Sequence, residues 1–151
     1  MTTYPYAGKF ETFRLDTNSG CLAQTVPGSY ATLGEIDTYV IQVQGTYYMH
    51  AQLAFDYDDT STDLCQIALT LVHLDSLGTV QGHWTRLQIP TVFNGLDSPS
   101  NLFSMDISAL DVCYVGDIWF VLIEDGSGTS TTLAQDTSPP NAHFEGFYVG
   151  A

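Results

Sequence analysis

Basic residues are nearly absent from this chain. Only Lys9, Arg14 and Arg86 oppose 17 Asp and Glu, which leaves a net charge of −14 over 151 residues. A chain so acidic has no electrostatic footprint for the phosphates of nucleic acid, and anionic membranes repel it. Long apolar runs are missing too, and none approaches the roughly 18 residues of a membrane span. No stretch keeps a clean 3.6-residue period over about a dozen residues, so no long helix is expected. The start, Met1-Thr2-Thr3-Tyr4-Pro5, lacks the basic and apolar regions of a secretory signal. Cys21, Cys65 and Cys113 are odd in number and lack metal-site spacing, which fits synthesis in a reducing cytoplasm.

Catalytic signatures are absent as well. There is no Gly-x-Ser-x-Gly, His-Glu-x-x-His, phosphate-binding glycine loop or Cys-x-x-Cys. His50, His73, His83 and His143 are scattered, and nothing in their spacing selects a triad. The chain is therefore expected to be non-enzymatic and to carry no cofactor.

What remains is rich in aromatics, at 13%, with turn residues spread along the whole length. Short apolar runs between turn clusters point to an all-β sandwich of two sheets, one domain over residues 1–151 with an irregular arm at about 1–8. The expected strands are 9–15, 38–43, 45–55, 64–74, 84–93, 102–110, 117–123 and 142–150. Two of them are apolar on both faces, and such a strand must be covered twice. In 45–55, Tyr47, Met49 and Phe55 share one face and Tyr48, His50 and Gln52 the other. In 117–123, Trp119, Val121 and Ile123 alternate with Ile118, Phe120 and Leu122. The second set is either an outward docking stripe or a surface that a loop or the N-terminal arm covers.

Asp56, Asp58, Asp59 and Asp63 crowd one loop. They are oxygen ligands suited to Ca²⁺, without EF-hand spacing, or else a solvated acidic loop that keeps a sheet edge from pairing. The overall acidity reads as solubility, or as complementarity to a basic partner.

Three motifs in order resemble the tumour necrosis factor superfamily and the related complement-type globular heads. The first is Gly45, Tyr47, Gln52 and Phe55 in the central strand. The second is the hairpin Cys113-Tyr114-Val115-Gly116-Asp117, where the family usually has Leu at the first position. The third is Phe144-Glu145-Gly146-Phe147 in the last strand. The resemblance implies a TNF-like jelly roll that forms a homotrimer, with the central and last strands on the inner sheet. It implies a trimer interface of Tyr48, His50, Phe144 and Tyr148.

A trimer-forming domain without export signal or anchor leads to an expected role on a virion surface, made in the host cytoplasm. The role is a bacteriophage decoration protein, a capsid cement or head knob, with the major capsid protein as partner. The alternatives are a receptor- or glycan-binding fibre tip and a TNF-like extracellular ligand.

Overall fold

The computed structural model describes residues 4–7, 12–13, 21–57, 67–88, 102–125, 131–133 and 142–151. In chain order these form β1 Tyr4–Ala7, β2 Thr12–Phe13, β3 Cys21–Thr25, a 3-10 helix Gly28–Leu33, β4 Glu35–Val40, β5 Gly45–Tyr57, β6 Ile67–Leu74, β7 Val80–Gln88, β8 Leu102–Cys113, β9 Ile118–Asp125, β10 Thr131–Leu133 and β11 Ala142–Gly150. Among the described residues no helix is long and apolar enough to cross a membrane. Tyr4–Ala7, expected to be irregular, is instead a strand paired antiparallel with β9.

The strands make two sheets, antiparallel except for the short β2–β11 pair. One sheet runs β3-β4-β9-β6-β7. β6 pairs with β9 along its whole length, so β4 and β1 share the other side of β9 end to end. In the second sheet β8 lies along β5 from Gly45 to Asp56. β11 and then β10 occupy the opposite side of β5, and β2 lies beyond β11.

The alternation read from the sequence puts Tyr47, Met49, Ala51 and Leu53 of β5 into the space between the sheets. They meet Leu69 and Leu71 of β6, Trp119, Val121 and Ile123 of β9, and Tyr39 of β4. Gly146 of β11 permits this closeness. A Cβ there would lie 2.8 Å from both the Met49 sulphur and the Tyr39 ring carbon Cζ. The Tyr39 hydroxyl is buried and has no hydrogen-bond partner among the described residues. A hydroxyl taken from water without compensation costs free energy. Tyr39→Phe should therefore leave stability unchanged or raise it by up to about 1 kcal/mol in urea unfolding.

The β3/β4/β9/β6/β7 sheet is covered a second time, on its outer face, by the chain itself. Ile118, Phe120 and Leu122 pack there with Val26, Ile36, Val72 and Leu74, under Tyr30 and Leu33 of the 3-10 helix. The Tyr30 and Phe120 rings meet edge-on at 5.1 Å. This corrects the expected docking stripe: Ile118, Phe120 and Leu122 are floor residues of a second core, and Phe120 is wholly buried. Of the two expected alternatives the covered face is the one found, and the loop segment 26–36 supplies the cover.

The β8–β9 turn follows the sequence reading. Gly116 has φ +90°, a left-handed value that suits glycine. The Asp117 amide donates to the Tyr114 carbonyl at 3.0 Å, and the Tyr114 amide donates to Asp117 Oδ2 at 2.8 Å. Asp117 therefore caps its own turn, as short acidic side chains do. Cys113 at the head of this turn is buried and accepts the Trp119 indole N–H at 3.3 Å. Burial pushes its thiol up to about 12, with the nearby Asp111 and Asp117 charges adding to the shift against the Trp119 bond. It behaves as a small core residue and not as a nucleophile.

Candidate functional site

The outer face of the β8-β5-β11 sheet collects the side chains with functional potential. Residues directly opposed on antiparallel strands share a face, so the register lays out this surface row by row. Leu110, Tyr48 and Phe147 form one row, with Val112 and Thr46 beside it. Ser108, His50 and Glu145 form the next, followed by Asp106, Gln52 and His143. The face thus has an apolar half and a half made of histidines and carboxylates.

In the apolar half Leu110 is 61% exposed, Val112 53%, Phe147 42% and Tyr48 39%. Val149, near the end of β11, is exposed as well. The Tyr48 ring lies 6.4 Å from Phe147 and stacks on His50 at 6.5 Å with an interplanar angle of 13°.

The same register corrects one of the expected interface residues, Phe144, and sets Tyr148 in its row. Phe144 opposes Ala51, and Tyr148 opposes Tyr47, so both belong to the inward face of β11. Phe144 is fully buried against Tyr39, with centroids 6.3 Å apart, whereas Tyr148, edge-on to Tyr47 at 5.6 Å near the strand end, stays 39% exposed. Phe147 is the aromatic that joins Tyr48 outside. Of the four residues expected together, the structure keeps Tyr48 and His50 on one surface.

In the polar half, His50 Nδ1 lies 3.1 Å from Glu145 Oε1 and 3.3 Å from His143 Nε2. His143 Nε2 is 3.6 Å from the same Glu145 oxygen. The other His50 nitrogen, Nε2, faces Asp106 Oδ2 at 3.9 Å. Arg86 of β7 holds Asp106 through a 2.7 Å contact to Oδ1 and also donates to its carbonyl oxygen at 2.9 Å. His143 and Glu145 are buried and His50 partly so, although all three sit on an outer sheet face. Of this group the sequence reading marked only His50 as a site residue. His143-x-Glu145 places two potential ligands on one strand face, a usable signal, but the meeting with His50 depends on the β5–β11 register.

A second cluster lies inside the sandwich. His73 of β6 is buried, with Nδ1 2.9 Å from Asp111 Oδ2 and Nε2 2.8 Å from Asp117 Oδ2. Its ring stacks on Trp119 at 4.5 Å, and Trp119 stacks on Trp84 at 5.2 Å. Both ring nitrogens of His73 are thus taken up by carboxylates of the fold itself. Cys113 approaches this group, and its sulphur accepts the Trp119 indole N–H. The cluster is a clamp: Asp111 comes from one sheet, His73 from the other and Asp117 from the turn between β8 and β9.

The expected Ca²⁺ ligands lie elsewhere. Asp58, Asp59 and Asp63 fall outside the described residues, and of Asp56 only its place in β5 is described. Compared with known proteins, the chain matches no family model and no curated protein.

Proposed function

We propose that this chain is a TNF-like jelly-roll subunit that assembles as a homotrimer through the outer face of its β8-β5-β11 sheet, and that the trimer is a non-enzymatic decoration protein of a virus capsid. The path of the chain supports the jelly roll. It passes between the two sheets from β4 to β5, β5 to β6, β7 to β8 and β8 to β9, the alternation of a sandwich wound from Greek keys. β5 and β11 lie in one sheet, which is what the family resemblance implies for the central and last strands.

The observation that carries assembly is the exposed apolar half of that face. Leu110, Val112, Tyr48 and Phe147 lie in neighbouring rows across three strands, and contiguous apolar surface of this kind marks an interaction site. The occupant is a second copy of the same face, since three copies about one axis close without leftover surface. On a capsid, such a trimer matches local three-fold positions, and a net charge of −14 suits a basic receptor surface on the major capsid protein.

Each buried Leu110 contributes on the order of 1.5–3 kcal/mol, three times per trimer. Sedimentation velocity at micromolar concentration should give trimers for the natural chain. Leu110→Asp should give folded monomers with an unchanged circular dichroism spectrum. A natural chain that sediments as a monomer would end the assembly reading. Trimers that fail to add to capsids lacking the protein would end the decoration role alone.

A further inference from the structure

We infer that His50, His143 and Glu145 form a binding site for one divalent transition-metal ion of the zinc type. All three donors come from a single chain, so the site stands whether or not the face assembles.

The geometry is the first argument. Zinc takes histidine nitrogens at about 2.0–2.1 Å and carboxylate oxygens at about 2.0–2.2 Å, so two ligands of a tetrahedral site lie about 3.3–3.5 Å apart. His50 Nδ1, His143 Nε2 and Glu145 Oε1 form a triangle with edges of 3.1, 3.3 and 3.6 Å. An ion above its centre reaches all three after shifts of a few tenths of an ångström. No such fit exists for Ca²⁺ or Mg²⁺, which take six or more oxygen ligands.

The second argument is chemical. Two imidazole nitrogens at 3.3 Å share one carboxylate oxygen. If both are protonated toward that oxygen, their hydrogens crowd each other. If one is not, its lone pair accepts the other ring's hydrogen across the 3.3 Å contact. A metal ion accepts from all three atoms at once.

The surroundings provide the third argument. Ligating histidines commonly present their other nitrogen to a carboxylate, which fixes the ring. His50 Nε2 faces Asp106, and Arg86 anchors Asp106 in turn. A dication faces the Glu145 carboxylate directly and Asp106, which is shared with Arg86, at one remove, while both histidines bind neutral. Glu145 and His143 are nearly enclosed and His50 is more open, so the fourth position lies toward the outside of the sheet. Such a half-open three-ligand site leaves room for a water or an added ligand.

The test uses the full chain freed of metal with a chelator and titrated with Co²⁺ and Zn²⁺. Tetrahedral Co²⁺ bound through nitrogen and oxygen should give intense visible absorption that saturates at one equivalent per chain and is bleached by Zn²⁺. Zinc at about a hundredfold excess over Kd should raise Tm by roughly 5–10 °C. His143→Gln and Glu145→Gln should each weaken Zn²⁺ binding at least tenfold. His83→Gln, at an exposed histidine outside the cluster, should leave it unchanged. Absence of the Co²⁺ spectrum in the natural chain overturns the inference without any variant. Binding that survives both glutamine substitutions, or that is lost in His83→Gln, overturns it as well.

Discussion

Replacing His73 with leucine should destabilise the fold by about 3–5 kcal/mol, the usual cost of removing one partner from a buried ion pair. The loss falls mainly on Asp117. Its carboxylate is buried and keeps, among the described residues, the Tyr114 amide, with little exposure to water. Asp111 is partly exposed and can rehydrate, so its share is smaller. The stacked Trp119 loses a ring contact besides. Urea unfolding with an unchanged m-value measures the effect. Pairing the change with Asp117→Asn removes the stranded charge while the amide oxygen can still cap the turn. The double variant should therefore recover about 1–2 kcal/mol, a non-additivity expected of residues in one network. A single variant that loses less than about 1 kcal/mol, or a double variant in which the losses simply add, would mean that the clamp does not hold the two sheets together.

The same clamp marks the limit of reading this chain from its sequence. His73 sits in an apolar strand and looked like one of four scattered histidines. Its partners arrive from 38 and 44 residues away, through a strand on the other sheet and a turn. No local pattern encodes that meeting. By contrast, features that depend only on neighbours along the chain were legible. The grouping of Tyr47 with Met49 and of Trp119, Val121 and Ile123 on single faces, the extent of β11 and the Gly116-Asp117 turn follow from alternation and turn chemistry, and the family resemblance chose which face is inward.

Phe144 lies between these cases. The run from Phe144 to Tyr148 has large apolar residues at both odd and even positions, so alternation permits either face. Only its pairing opposite Ala51 makes Phe144 a core residue and brings Phe147 outside. The His50–His143–Glu145 group has the same origin. A shift of one residue in the β5–β11 register would turn β11 over and send His143 and Glu145 into the apolar core, which the cost of burying their polar groups forbids. The register that seats Phe144 inside therefore also gathers the three ligands outside.

Both doubly apolar strands needed a second cover, and the chain solves the two cases differently. β9 is covered from within, by the 3-10 helix and its flanks, whereas the second face of β5 remains half open. The contrast makes Phe120 a stability residue. Replacing it with alanine should cost about 3–5 kcal/mol. Phe120→Glu adds a carboxylate enclosed by Val26, Ile36, Val72 and Leu74, worth several kcal/mol more. The total reaches the whole stability of an ordinary domain, about 5–15 kcal/mol, so this variant should lack a cooperative unfolding transition. The alanine variant should unfold cooperatively at lower urea. Its first proteolytic cut should fall within residues 27–34, because the 3-10 helix loses the ring on which Tyr30 rests. If Phe120→Glu were soluble, with the natural spectrum and a midpoint shifted by less than about 1 kcal/mol, the cover over β9 would be an easily displaced flap. The outer face of that sheet would then compete with the β8-β5-β11 face as a docking surface.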